Sequence, residues 1–350
     1  MKRMDEGMPF LLRYENVAWY EDGKVRILDR RVYPTEIRHV ICTDYREVAQ
    51  AVTDMVTQSA GPYTAIGMGM ALAAKQVSGK PKKEQMDFLQ RAAQDLANSR
   101  PTQANRYALI TGRALKLAEE ALDAGEDPVS AITEDTVASL NRRYGTMQLV
   151  GDHLAEQIPQ GGAILTQCYA ETVIGTVMRA ARRQNKDFRV YCAETRPYMQ
   201  GARLTSGCFA EMGFDTTVLT DNMIAWAMRE GMIDLFTSAA DTISRDGYIA
   251  NKIGTFQIAL LADHFSIPYF VTGIPDRDKR TRDDIVIEMR DPSQVLAFRG
   301  IPNCAPGVKA LYPAFDITPP ELIAGVVTDR GVYAPGELDR YFEGEVQAFY

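Results

Sequence analysis

From residue 156 onward the chain alternates short apolar runs with helical segments, and this alternation constrains the fold more than any other feature. The runs AILTQ, FRVYCAE, DTTVLT, IDLFTSA, PYFVTG and DIVIEM have strand length. Between them lie ETVIGTVMRAARRQ, GARLTSGCFAEMG, MIAWAMREG and KIGTFQIALLADHF, which read as helices. Strands that are apolar throughout and joined by helices predict a parallel sheet covered on both faces. Such a sheet binds ligands beyond the carboxyl ends of its strands, so the residues just after each strand are the candidates for chemistry.

The first part of the chain has a different texture. FLLRYENVAWYEDGKVRILDRR reads as two β-rich runs around an Asp-Gly turn. After Pro34 the pattern turns helical. TDYREVAQAVTDMV sets Val48, Ala51, Val52 and Met55 on one face, with Thr43 or Asp44 as the cap. Helical patterns continue through MGMALAAKQV, KEQMDFLQRAAQDLANS, ANRYALITGRALKLAEEALDAG and DPVSAITEDTVASLNRR. The expected fold class is therefore α/β in two parts. Residues 1–155 form a β-hairpin, or small β-sheet, with a helical bundle. Residues 156–350 form the parallel-sheet domain. The tail GELDRYFEGEVQAFY has the composition of a short helix.

Bulk properties narrow the function. A net charge of -7 disfavours general affinity for nucleic acid or an anionic membrane. No apolar run approaches the roughly 20 residues of a membrane helix, and the N-terminus lacks the apolar core of a signal peptide. A cytoplasmic protein is expected. The five cysteines form no CxxC pair, and the three histidines, His39, His153 and His264, are far apart, so neither a disulfide framework nor a bound metal is expected. No GxGxxG follows a strand, which argues against a nicotinamide dinucleotide. No cofactor is expected.

The strand-end positions hold Cys168, then Glu194-Thr195-Arg196-Pro197, then Asp221-Asn222, then Asp241. An aspartate at a strand end commonly caps the next helix, and an isolated cysteine is commonly a core residue. Convergence on one sheet edge is what makes these positions candidates. If the helix after the first strand begins near Tyr169, its N-terminus would favour a Cys168 thiolate. Asp241 would be an acid if its surroundings are apolar enough to raise its pKa. One group that takes a proton and one that gives it suit an isomerase. Cys192 and Cys208 read as core residues.

The segments ILTQC, ETRPYMQGARLT, TDNM, AADTISRDGYIANKIGT and YPAFDITPPELIAGVVTDRGV, with SRPTQAN earlier, resemble the methylthioribose-1-phosphate isomerases. That family is homologous to the ribose-1,5-bisphosphate isomerases and to regulatory subunits of the initiation factor that exchanges guanine nucleotide. The resemblance covers nearly the whole chain and implies a Rossmann-like second domain, a homodimer, a phosphorylated pentose as substrate and a place in methionine salvage. It implies catalysis by Cys168 and Asp241, and substrate contacts from Arg100, Gln200, Asn251 and Lys252. The relatives usually carry Arg-Gly-Ala-Pro before Ala-Ile-Gly. Here Ala65-Ile66-Gly67 follows a longer segment without arginine, in which Gln58, Ser59 and Gly61 are the candidate phosphate donors. Gln167, Tyr169 and Glu171 also depart from the usual Thr-His-Cys-Asn-Ala-Gly. The implied function is aldose–ketose isomerisation of a 5-substituted ribose 1-phosphate. The alternative is a non-catalytic regulatory protein that binds a sugar phosphate or nucleotide.

Overall fold

The structure, a computed structural model, describes residues 3–100, 103–298 and 300–344. The chain divides into two compact units, one running to Gly145 and the other beginning at Thr146. Among the described residues no helix is long and apolar enough to cross a membrane.

The first unit opens with two short 3-10 turns, Phe10–Leu12 and Tyr14–Asn16. The β-rich run expected at FLLRYENV is therefore not a strand. Leu11, Leu12 and Tyr14 point inward without the alternation a half-buried strand requires. The hairpin itself forms, with β1 (Ala18–Glu21) and β2 (Lys24–Leu28) joined at Asp22-Gly23, both with positive φ. A third strand that the sequence reading missed, β3 (His39–Cys42), pairs antiparallel with β2.

Helices follow: α1 (Tyr45–Thr53), α2 (Gly61–Val77), α3 (Lys82–Ala97), α4 (Ala104–Ala124) and α5 (Pro128–Gln157). Asp44, not Thr43, caps α1. Its side chain accepts from Arg46 N, and Glu47 reaches back to Asp44 N, a reciprocal capping box. α2 is apolar on all sides and buried almost throughout, so it forms the middle of the unit, with Val48, Leu89 and Leu96 in the same core. α4 ends at Gly125, whose φ of 72° is the left-handed value a C-terminal cap uses. α5 runs on through the division at Gly145, so the change of texture read near residue 155 coincides with the end of this long helix.

The second unit contains a seven-stranded sheet. Its strands are β4 (Ala163–Thr166), β5 (Arg189–Ala193), β6 (Thr216–Leu219), β7 (Leu235–Ala239), β10 (Tyr269–Thr272), β14 (Gly325–Thr328) and β15 (Gly331–Tyr333). They lie in the order β15-β14-β10-β7-β4-β5-β6, all parallel except the β14–β15 pair. The first three strands spread one way from β4 and the later ones the other way, so the order reverses between β4 and β7. That is the doubly wound arrangement of a Rossmann-like fold. Five of the six expected strands take part. DIVIEM does not: Met289 makes only an isolated bridge to Pro313, and Val286 is exposed. The strand beside β10 comes instead from GVVT, whose residues are all buried.

A second, antiparallel sheet holds β8 (Thr242–Ile243), β9 (Ile249–Lys252) and β13 (Phe315–Thr318) in the order β13-β9-β8. A small hairpin, β11 (Ala297–Phe298) with β12 (Ile301–Pro302), lies earlier in the chain than β13. The helices of this unit are α6 (Glu171–Arg183), α7 (Ser206–Glu211), α8 (Ile224–Arg229) and α9 (Thr255–His264). Cys192 and Cys208 are buried, as expected of core residues. The tail forms 3-10 turns over Pro335–Phe342, and its last six residues lie outside the described ones.

Asp44→Ala removes the acceptor of an exposed capping box and should cost about 1 kcal/mol. Urea unfolding followed by helical circular dichroism measures this, and an unchanged midpoint would show that the cap adds nothing.

Candidate active site

Strand order decides where chemistry can occur. In a sheet of this order, ligands bind beyond the carboxyl ends of the two strands at which the order reverses, here β4 and β7. Cys168 lies just beyond β4, and Asp241 just beyond β7, its immediate neighbour in the sheet. Glu194 to Pro197 follow β5 and Asp221 follows β6, as the sequence reading expected.

Cys168 is held by a network of backbone hydrogen bonds. Its φ is 64°, in the left-handed region that a non-glycine residue adopts only when its surroundings enforce it. Cys168 N donates to Thr195 Oγ1 at 2.9 Å, and the Thr205 hydroxyl donates to the Cys168 carbonyl. Thr195 also has a φ of 64°. Its hydroxyl donates to Ala193 O at 3.1 Å, while Asp221 accepts from the amides of Thr195 (2.8 Å) and Arg196 (2.7 Å). Asp221 thus fixes the β5 loop, which in turn fixes Cys168. The same loop needs glycine at position 201, where a Cβ would come within 1.8 Å of Ala193 O. Gln200 beside it is buried, and its Oε1 has no hydrogen-bond partner among the described residues.

Gln167 joins this edge to the antiparallel sheet. Its Nε2 donates to Ile253 O at 2.9 Å and its Oε1 accepts from the Thr255 hydroxyl at 2.5 Å. Asn251 Nδ2 donates to the same hydroxyl at 3.0 Å. Asn251 and Lys252 therefore lie buried on β9, and Lys252 is not the first residue of a helix as the pattern KIGTFQIALLADHF suggested. The helix starts at Thr255, where Asp316 accepts from Gly254 N (2.7 Å) and Phe256 N (3.1 Å).

The electrostatics differ from the expectation. The helix after β4 begins at Glu171, not near Tyr169, so Cys168 lies outside its first turn. Burial pushes the thiol up to about 11. Lys252, the Tyr169 amide and Arg290 pull it down, and the Asp241 carboxylate pushes it further up. Desolvation prevails, and the resting group is a neutral thiol, not a thiolate. Glu171 is buried. Lys252 is brought down to about 8, first by burial and then by Arg290. Burial raises the Asp316 carboxyl to about 6 against its two amide donors. Asp241 is exposed.

Arg290 escaped the sequence reading. It follows the bridge at Met289, its amide donates to Tyr312 O at 2.8 Å, and its side chain pairs with Glu288 at 3.0 Å. Lys252 Nζ and the Arg290 guanidinium share the ring of Phe315, 4.6 and 5.6 Å from its centroid. Its sequence signal is its place directly after DIVIEM, at the end of an expected strand. Only the pairing of β9 with β13 brings Phe315 opposite Lys252.

The remaining predicted contacts belong to the first unit. Arg100 hydrogen-bonds Tyr107, and the two residues after it lie outside the described ones. Ser59 is exposed with a φ of 57°, and Gly61 begins α2. Gln58 is buried, with its Nε2 3.5 Å from Met55 O.

Residues 61–335 match the initiation factor 2 subunit family. Over 92% of this chain and 96% of the other, the sequence is 36% identical to a methylthioribose-1-phosphate isomerase of Chloroflexus aurantiacus. It is 33% identical to one of Desulforamulus reducens over 91% of this chain and 96% of that one. The crystal structure of the 5-methylthioribose 1-phosphate isomerase of Pyrococcus horikoshii superposes with a TM-score of 0.81 at 32% identity, covering 95% of this chain and 98% of that one. The translation initiation factor eIF-2B subunit delta of A. fulgidus gives 0.78 at 30% identity, covering 91% and 96%. The chain belongs to the initiation factor 2 subunit family.

The charges around Cys168 predict how its reactivity responds to pH. Alkylation by iodoacetamide should be slow at neutral pH and rise toward the thiol's value near 11. Lys252→Met should slow alkylation below about pH 8, where the lysine is still charged, and Asp241→Asn should move the rise to lower pH, because the first removes a cation and the second an anion. Alkylation rates read by mass spectrometry across pH test both signs, and identical profiles in the two variants would refute the assignment.

Proposed function

We propose that this member of the initiation factor 2 subunit family is an aldose–ketose isomerase that converts a 5-substituted ribose 1-phosphate to the ribulose 1-phosphate. 5-Methylthioribose 1-phosphate is the first candidate substrate, and the product would enter methionine salvage. The observation that carries the reading is the pair Cys168 and Asp241 at the ends of adjacent strands β4 and β7, in a chain whose relatives bear that isomerase name.

The phosphate on the anomeric oxygen prevents simple ring opening, so the ring oxygen must be protonated as the ring C–O bond breaks. Asp241 is assigned as that acid. It is exposed in the chain alone, so bound substrate would supply the desolvation that raises a carboxyl. Cys168 is assigned to the hydrogen that leaves C2. Net conversion moves one hydrogen from C2 to C1 and turns the C2 hydroxyl into the ketone. A thiol near 11 is costly to ionise, and Lys252 is the cation that lowers the cost. Gln200, Asn251 and Lys252 are assigned to the sugar. Arg100 is assigned to the substrate through the resemblance, and Gln58, Ser59 and Gly61 to its phosphate by their place in the altered loop. The protein is proposed to act as a cytoplasmic homodimer.

The likeness to the A. fulgidus subunit favours a second reading, in which the same residues bind a sugar phosphate or nucleotide without turnover.

Purified protein incubated with a panel of ribose 1-phosphates should yield the matching ribulose 1-phosphate by NMR. Cys168→Ser and Asp241→Asn should each lower kcat by at least about a hundredfold, with circular dichroism and melting temperature preserved. Specific binding without turnover of any panel member would replace the isomerase reading by the regulatory one.

A further inference from the structure

The segment leading into α2 turns into left-handed backbone twice, at Met55 (φ 60°) and Ser59 (φ 57°). Arg30, two residues beyond β2, grips it from beneath. This arginine is wholly buried, with 0% exposure. Its amide donates to Val56 O at 2.9 Å, and its Nη1 donates to Gln58 O at 2.7 Å. One residue therefore holds carbonyls on both sides of Thr57, by backbone and by side chain.

Gly61 closes the turn over the same guanidinium. Its amide also donates to Gln58 O, at 3.0 Å, so this carbonyl receives two donors. A Cβ at position 61 would come within 2.0 Å of Thr57 Oγ1 and 3.3 Å of Arg30 Nη1. α2 then starts with no side chain capping it at Ala60 and with Pro62 in its first turn. Gly61 N and Tyr63 N are spent on Gln58 O and Ala60 O and Pro62 has no N–H, so Ser59 is the donor this turn presents, and the turn is shaped by Arg30. A guanidinium bound to a carbonyl makes a charge-assisted hydrogen bond, stronger and more directional than a neutral donor would make.

We infer that Arg30 is a positioning residue for recognition of the substrate's phosphate. It sets the turn at residues 56–61 from below, in a loop that carries no arginine of its own. The inference rests on the proposed role of this loop in substrate binding. It predicts that Arg30 governs affinity for the anionic group and leaves the chemistry at Cys168 and Asp241 unchanged.

The test uses full-length Arg30→Met, Arg30→Lys and Gly61→Ala, assayed with 5-methylthioribose 1-phosphate and with inorganic phosphate as competitor. Arg30→Met should raise both KM and the inhibition constant for phosphate by about tenfold, one such factor being the worth of a modest polar contact. Its kcat should stay close to wild type, and Arg30→Lys should recover part of the affinity. Gly61→Ala disturbs the same turn from the other side and should raise both constants in the same way. Melting temperatures identify any variant that does not fold, and the folded variants then decide. Folded variants with unchanged KM and unchanged phosphate inhibition overturn the inference, as does a fall in kcat with KM preserved. If the wild type does not turn over, the isomerase reading fails separately. Calorimetric titration with inorganic phosphate then tests Arg30 alone, and equal affinity in wild type and Arg30→Met overturns the inference.

Discussion

The candidate site depends on one constraint, the reversal of strand order between β4 and β7. Two parallel strands that lie side by side, with connections leaving to opposite faces, cannot have their carboxyl ends covered by either helix layer. Every side chain that emerges there enters a shared space. The reversal brings Cys168 and Asp241 to one edge although the whole β5–β6 excursion separates them in sequence. The core beneath is dry and continuous, with Leu165, Phe236, Tyr269 and Val271 buried, so the edge is a rigid platform.

On that platform position is set by hydrogen bonds and chemistry by desolvation. Asp221 is the anchor: it accepts from two successive amides in the β5 loop, whose threonine then accepts from Cys168 N. Two positive-φ residues are the strained elements, and strain of about 1–3 kcal/mol each is sustained only where the surroundings over-determine the conformation. Moving the thiol from 9.0 to about 11 makes ionisation about 3 kcal/mol harder. Lys252, Arg290 and the Tyr169 amide reduce that cost without overcoming it. This edge therefore carries a thiol pushed up to about 11 by burial and a buried lysine brought down to about 8.

Much of this was legible in the sequence because it depends on periodicity and on strand ends. Alternating runs gave five strands of the large sheet, and the residues after them formed the edge. Failures came where neighbours distant in sequence decide the structure. DIVIEM has the composition of a strand, yet the place beside β10 is taken by GVVT, which is buried on both faces. β9 reads as the start of a helix because Lys252 is followed by helical residues, but pairing with β13 extends the chain as far as Lys252. Arg30 lies in a charged run at the end of the hairpin and Arg290 follows a run that joins no sheet, and tertiary contacts draw both inward. The expected thiolate failed because burial raises the thiol, and α6 begins only at Glu171, beyond the reach assumed for its dipole.

The raised thiol of Cys168 bears on how such a protein ages in an oxidising cell. Peroxide attacks the thiolate, and each oxidation beyond sulfenic acid is hard to reverse. A cysteine kept protonated by burial reacts slowly with peroxide, even though it is partly open to solvent. Cys304, exposed in its loop, is the easier thiol for an oxidant to reach. Oxidative damage would mark the periphery of this chain before it disabled the centre.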